Sequence, residues 1–319
     1  MKTKLSEINI ALSSKVSLLI CSSSFEYRWY QIAKNLSTEK LSNIVVLQKS
    51  KELDCWEHGI NEIIKVHGDK YEILDMSSPN PADLWRNLAT NLLPKIQNQK
   101  EATLIDITTL THELVVFLVS LIKSNNLSSK VILAYSGASA YLTSKDKTNW
   151  WLSRGVKNIR SILGFPGVIR PSRKSHLMIL VGFETERAKE LITQYEPSSI
   201  SLGIGIEPYS QEFFEKNSWY REQLEIFIQS IGSTIKNVSE FTFSCSDFES
   251  AKEAILEEAS KFSDKNITIA PMNTKVSTVA AASAAIENDA LKLCYVEPIE
   301  YNKEFYSSPG DTLTIIKLS

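Results

Sequence analysis

Short apolar runs alternate with segments of helical period along this chain, and the whole alternation occurs twice. Val16–Cys21, Asn43–Gln48, Tyr71–Asp75, Thr103–Ile107 and Lys130–Tyr135 read as strands in the first half. Between them, Glu26–Leu36, Cys55–Val66, Pro81–Ile96 and Thr111–Lys123 carry apolar residues at helix spacing. Strands that are apolar throughout, rather than alternating, are buried on both faces. That is the condition of a parallel sheet with helices on either side.

The same order returns after His176. Strands are expected at His176–Val181, Ser199–Leu202, Glu240–Ser244, Asn266–Ala270 and Leu291–Val296, with helices at Glu184–Tyr195, Ser210–Ile231, Asp247–Lys261 and Thr274–Glu287. Matching strands are offset by about 160 residues. Short matches recur at the same offset. Phe25-Glu26-Tyr27-Arg28 pairs with Phe183-Glu184 and Arg187, and Tyr135 and Tyr141 pair with Tyr295 and Tyr301. The expected fold is therefore α/β, with two tandem Rossmann-like doubly wound parallel sheets related by internal duplication. The expected boundaries are domain 1 at 1–145, a basic aromatic linker at 146–175 and domain 2 at 176–319. A last strand is expected at Thr312–Leu318.

Composition narrows the classes of function. The net charge of −2 in 319 residues argues against a globally basic nucleic-acid binder. The first residues, MKTKLSEINIALSS, lack the apolar core of a signal peptide, and the longest apolar run, Leu114–Ile122, is too short to span a bilayer. Cys21, Cys55, Cys245 and Cys294 are scattered, without metal or redox spacing, so a cytoplasmic protein with reduced thiols is expected. The four histidines form no metal spacing, and His58 and His67 read as helix-surface residues. No metal site, no catalytic residue and no particular cofactor is assigned. Gly203-Ile204-Gly205 is followed by Glu207-Pro208 and completes no dinucleotide fingerprint.

In open parallel sheets, ligands bind beyond the carboxyl ends of the strands. The residues expected there are Ser24, Glu26 and Arg28 after the first strand, and Asp106, Thr108 and Thr109 after the fourth. In the second half they are Glu184 and Arg187, then Asn273, Thr274 and Lys275. Hydroxyls and amides at strand-to-helix turns, with free backbone N–H groups, suit a phosphate. Asp106 is expected half-buried, orienting a ribose hydroxyl, holding a cation or capping its loop. Thr274 or Asn273 would cap a helix if it does not bind a phosphate. Each Glu–Arg pair would either fix its first helix or face a cleft.

Residues 145–176 hold eight Lys/Arg against one acid, with Trp150, Trp151 and Phe165 interleaved. Basic and aromatic residues together can clamp phosphates and stack bases. Arg154, Arg160, Arg170, Arg173 and Lys174 are therefore candidates for nucleic-acid or partner contact; a solvated connection is the alternative.

Two Rossmann-like units with polar turns at Ser22–Arg28, Asp106–Thr111, Gly182–Arg187 and Asn273–Thr278 resemble the sensor domains of the CRISPR-associated Rossmann fold group. The resemblance implies an oligonucleotide ligand, an effector protein partner and a role in defence against phage. The expected function is a non-catalytic, nucleotide- or oligonucleotide-responsive component of a bacterial defence system. The alternatives are an enzyme acting on a nucleotide or nucleic-acid phosphate, and a structural subunit of a larger complex.

Overall fold

The computed structural model describes residues 1–12, 15–49, 55–146, 149–206, 210–231, 235 and 237–318. Lys147 of the basic segment and the Glu207-Pro208 pair lie outside the described residues. Two units are present: Met1–Thr143 with Ser307–Ser319, and Ser144–Tyr306.

The first unit is built on a seven-stranded sheet. Its strands are β1 (Lys2–Lys4), β2 (Val16–Ser22), β3 (Leu41–Gln48), β4 (Tyr71–Asp75), β5 (Ala102–Asp106) and β6 (Val131–Tyr141), joined by a strand from the end of the chain. The second unit has β7 (Ser153–Ser161), β8 (Ser175–Val181), β9 (Ser199–Ile206), β10 (Asn237–Ser244), β11 (Asn266–Pro271) and β12 (Lys292–Tyr301). The strand that returns to the first unit is β13 (Ser307–Lys317).

The orders are β4-β3-β2-β5-β6-β13-β1 and β10-β9-β8-β11-β12-β7. Around five parallel strands the two are the same: third, second, first, fourth, fifth, then an antiparallel neighbour. The chain reverses direction across each sheet between its first and fourth strands, β2 and β5 in one unit and β8 and β11 in the other. All seven residues of β2 are buried, as a central strand covered on both faces requires. The helix Lys275–Glu287 is buried along Val276–Ala285 because its small residues let it lie close to the sheet.

Two assignments differ from the sequence reading. Residues 146–175 are not only a connection: they supply β7, which pairs with β12. Its sequence, SRGVKNIRS, lacks a continuous apolar run because an edge strand keeps one face wet. Residues 307–317, placed by the alternation in domain 2, pair with β6 of the first unit. In each repeat, then, the strand after the fifth joins the other repeat's sheet.

The remainder of the basic segment is pinned. Asn266 Oδ1 accepts from Arg170 N at 2.9 Å, and its Nδ2 donates to Arg170 O and Arg173 O at 2.9 and 3.0 Å. Phe165 is buried. Gly167 adopts φ +64°, and a Cβ there would meet Lys292 N at 2.9 Å, so glycine is required.

Candidate functional site

At each reversal point the loops after the first and fourth strands are tied together. In the first unit Thr109 Oγ1 donates to Ser22 O at 2.7 Å. In the second, Asn273 Nδ2 donates to Val181 O, and Asn273 Oδ1 accepts from Thr274 N at 2.7 Å. Gly182 lets these loops close, since a Cβ there would sit 2.0 Å from Met272 O. The helices that follow start alike. Thr111 caps His112–Ser124 by accepting from Leu114 N at 3.3 Å. Thr274 caps Lys275–Glu287 by accepting from Ser277 N at 3.2 Å. Capping is therefore what Thr274 does, and Asn273 holds two loops.

Behind each loop lies a buried polar cluster, and the two clusters match. In the first unit Arg28 Nε and Nη2 donate to Glu26 Oε2 at 2.9 and 2.5 Å, and Ser307 Oγ donates to the same oxygen at 2.6 Å. Arg28 Nη1 reaches Ser136 O at 3.0 Å, and the guanidinium lies 5.3 Å from the Tyr141 ring. Tyr141 and Tyr135 join hydroxyls at 3.0 Å. In the second unit Arg187 Nη1 meets Glu184 Oε1 at 3.1 Å, and Ser153 Oγ donates to Glu184 Oε2 at 2.6 Å. Tyr295 and Tyr301 act electrostatically on Arg187. Burial raises the Glu184 carboxyl, against the opposing pull of Arg187, Ser153 and Lys275.

Of the two readings left open for the Glu–Arg pairs, the structure has internal ion pairs, with Arg28 and Arg187 buried. Ser307 pairs with Tyr141 in the ladder, and Ser153 pairs with Tyr301. The serine that closes each cluster thus comes from the strand exchanged between repeats. This was not read from the sequence, although extending the repeat comparison past Tyr141 and Tyr301 would reach both serines.

Asp106 is fully buried rather than half-buried. Its Oδ1 accepts from Thr108 N at 2.9 Å, and Thr108 Oγ1 accepts from Ser136 N at 2.9 Å. Its Oδ2 has no hydrogen-bond partner, nor does Ser136 Oγ. Burial raises the carboxyl to about 7, with Thr108 and the Arg28 charge opposing. Ser24 is buried; its Oγ accepts from Glu26 N at 3.2 Å, and its carbonyl accepts from Cys55 Sγ at 2.6 Å. Thr109, Glu184, Asn273, Thr274 and Lys275 are the half-exposed members of the predicted set.

The basic candidates are not gathered into one place. Arg154 and Arg160 lie on β7, Arg154 4.1 Å from the Trp151 ring and Arg160 bound to Glu297. Arg170, Arg173 and Lys174 lie on the pinned loop before β8, with Arg173 Nη1 donating to Ser263 O at 2.7 Å.

A further buried network, also missed, sits at the amino ends of the second sheet. His176 Nδ1 lies 2.8 Å from Ser199 Oγ, and its Nε2 lies 3.0 Å from Ser201 Oγ. Ser201 Oγ donates to Glu258 Oε1 at 2.5 Å, and Lys265 Nζ donates to Ser199 Oγ at 2.8 Å. In the first unit His67 is buried, contrary to the surface expectation, with Nε2 2.8 Å from Ala33 O. Among the described residues no group of three or more His, Cys, Asp or Glu could hold a metal ion, and no helix is long and apolar enough to cross a membrane.

No protein-family model matches the chain, and no curated protein matches it in sequence. Among solved structures it is similar to Enterococcus italicus Csm6 bound to cyclic hexa-2'-fluoro-hexa-dAMP. The identity is 16% and the TM-score 0.30, over 38% of this chain and 33% of that one. The chain thus spans about a third of Csm6. It is also similar to UDP-GlcNAc 2-epimerase from Neisseria meningitidis bound to UDP-GlcNAc, with 11% identity and TM-score 0.26, over 85% of this chain and 90% of that one. Likenesses this slight carry no argument about a ligand.

Proposed function

We propose that the chain is a non-catalytic, nucleotide- or oligonucleotide-responsive component of a bacterial antiphage defence system, acting with a partner effector. One observation carries this reading. At both reversal points the glutamates and arginines are closed into internal ion pairs, so they are committed to structure. Facing outward there are the half-exposed Lys275 and the amino ends of two 13-residue helices. Backbone N–H groups at helix amino ends and a nearby lysine charge suit phosphate oxygens. The duplicated cluster behind each loop holds that surface in a fixed shape.

The test is thermal unfolding with cyclic and linear oligonucleotides, and a mononucleotide as control. A ligand at a hundred times its Kd adds about 2.7 kcal/mol, which raises Tm by roughly 5–10 °C for units of this size. Lys275→Ala and Asp106→Ala abolish the rise, and no product forms. An absence of any shift across the panel overturns the reading. The partner is expected on the basic loop, so charge reversal at Arg170, Arg173 and Lys174 releases the effector without changing the nucleotide-induced shift.

An enzyme acting on a nucleotide phosphate is the second reading, and Asp106 favours it. A buried carboxyl raised to about 7 with one unpartnered oxygen is the kind of group that general acid–base chemistry uses. Turnover that stops with Asp106→Asn would decide for it.

A further inference from the structure

The reversal point of the second unit is edged by aromatic rings that the Glu184–Arg187 cluster does not use. Phe183 follows Gly182, and a Cβ at Gly182 would lie 3.0 Å from Asn273 Cα, so the ring starts beside the Asn273-Thr274-Lys275 turn. Two rings of the helix Gln211–Ser230 pack on Phe183, Tyr220 at 5.5 Å and Phe213 at 6.2 Å between centroids. Trp219 meets Tyr220 edge-on at 4.8 Å. Trp150 meets Trp219 at 6.2 Å with the two planes at 90°, so the indoles form a corner. Phe183, Trp150 and Trp219 are half-exposed, and all of these residues belong to the second unit.

Around these rings the polar tips are occupied. Trp150 Nε1 donates to Ser144 O at 3.0 Å, and the Tyr220 hydroxyl donates to Trp150 O at 2.8 Å. Lys216 Nζ lies 5.2 Å from the Trp150 ring and donates to Glu212 Oε1 at 2.5 Å. Asn217 is different. It stands one helical turn from both Phe213 and Tyr220, on the helix face that meets Phe183. It is only 7% exposed, and its Oδ1 has no hydrogen-bond partner among the described residues. Leaving a buried amide oxygen without a donor costs stability. An amide among aromatic rings is the equipment that recognises a nucleobase. Rings stack on the base, and the amide accepts from an exocyclic amino group while donating to the neighbouring ring nitrogen.

We infer that this aromatic corner reads the base of the ligand: a nucleobase stacks on the half-exposed rings of Trp150, Trp219 and Phe183, and Asn217 Oδ1 accepts from its exocyclic amino group. The phosphate lies at the start of the helix Lys275–Glu287, beside Phe183. The ligand class is a nucleotide or oligonucleotide whose base carries an exocyclic amine, and base recognition belongs to the second unit. This inference rests on the nucleotide-binding reading proposed above and adds its specificity.

The experiment uses the full chain and two matched pairs of linear trinucleotides, triadenylate with tri-inosinate and tricytidylate with triuridylate. Within each pair the exocyclic amine is replaced by a carbonyl. Tryptophan fluorescence is recorded for these and for the cyclic oligonucleotides of the thermal panel above. In at least one pair the amino-bearing member is expected to quench the fluorescence and to bind about tenfold or more tighter than its partner. Trp150→Phe and Trp219→Phe, which keep the rings packed, reduce the quench, and Trp56→Phe in the first unit does not. Asn217→Leu leaves no orphaned oxygen, so the members of the pair bind alike while the Tm of the free chain does not fall; a merely structural amide would lower that Tm. Equal affinity within both pairs on the natural chain overturns the proposal, as does a quench that both indole substitutions leave intact. If a variant fails to fold, the comparison within pairs on the natural chain decides alone. A Tm rise without quench or preference overturns the base site and leaves the proposed function standing. No Tm rise with any member of the panel overturns the function, and the base site with it.

Discussion

Acidification should destabilise the second unit before ordinary carboxylate titration begins, and His176 is the reason. The ring is buried, stacked on Phe262 at 3.7 Å between centroids, and held by a directed chain of hydrogen bonds. Lys265 must donate to Ser199, so the Ser199 hydroxyl is free to donate to His176 Nδ1. On the other side Ser201 donates to Glu258, so its oxygen accepts from Nε2–H. This chain fits a neutral imidazole with its proton on Nε2. A second proton on Nδ1 would oppose the Ser199 hydroxyl. Burial first, and the Lys265 charge second, hold the imidazole down from 6.5 to about 4. The folded state thus binds a proton less readily than the unfolded chain. The stabilisation is complete above about pH 6.5 and is lost as pH falls toward 4, a change of about 3 kcal/mol from this residue. Urea unfolding followed by circular dichroism at pH 4 to 7.5 measures it. His176→Gln, which can donate and accept on the same serines, should be less stable at pH 7.5 and lose the slope across that window. A slope unchanged by the substitution would refute the assignment.

Asp106 carries the opposite sign. Its folded carboxyl is raised from 3.8 to about 7, so its contribution is greatest below pH 4 and about 4 kcal/mol is lost by pH 8; Asp106→Asn should raise urea stability at pH 8 and not at pH 4. Gly182→Ala places a methyl 2.0 Å from Met272 O and should cost about 2–3 kcal/mol by denaturant unfolding, with the loss in the second unit's hydrogen-exchange protection. Ser307→Ala and Ser153→Ala each remove a hydroxyl from a buried carboxylate. Each should cost about 1.5–3 kcal/mol, Ser307→Ala in exchange protection around β2 and β6, Ser153→Ala around β8 and β12.

What could be read from the chain follows from what a local pattern can encode. The central strands were legible because burial on both faces leaves apolar runs such as VSLLIC and HLMILV. The repeated Glu–Arg pairs were legible because one loop occurs twice. β7 was not, since an edge strand with Arg154, Lys157 and Arg160 on it resembles a solvated connection. The partner of β13 was not either: its residues announce a strand, and nothing local says which sheet receives it. Asp106 was expected nearer water because a carboxylate is seldom fully buried, and the loop that buries it, with Thr108 two residues on, is held by Ser136 from a strand distant in sequence.

The exchanged strands give the duplication a physical consequence. β6 and β12 each have one side paired to the fourth strand of their own repeat and the other to a strand of the opposite repeat. Without β13, β6 would be an open edge carrying Val131, Leu133 and Tyr135 beside unpaired backbone, the kind of edge that recruits another chain. The same strand brings Ser307 to Glu26, so the edge and the polar cluster are closed together. Because β7 does both tasks for the second unit through Ser153, neither repeat contains all the residues of its own cluster. The Glu–Arg pairs therefore depend on a segment far away in sequence. A duplicated chain that had simply placed two complete units end to end would show each serine in its own repeat's ladder, and this one shows the reverse.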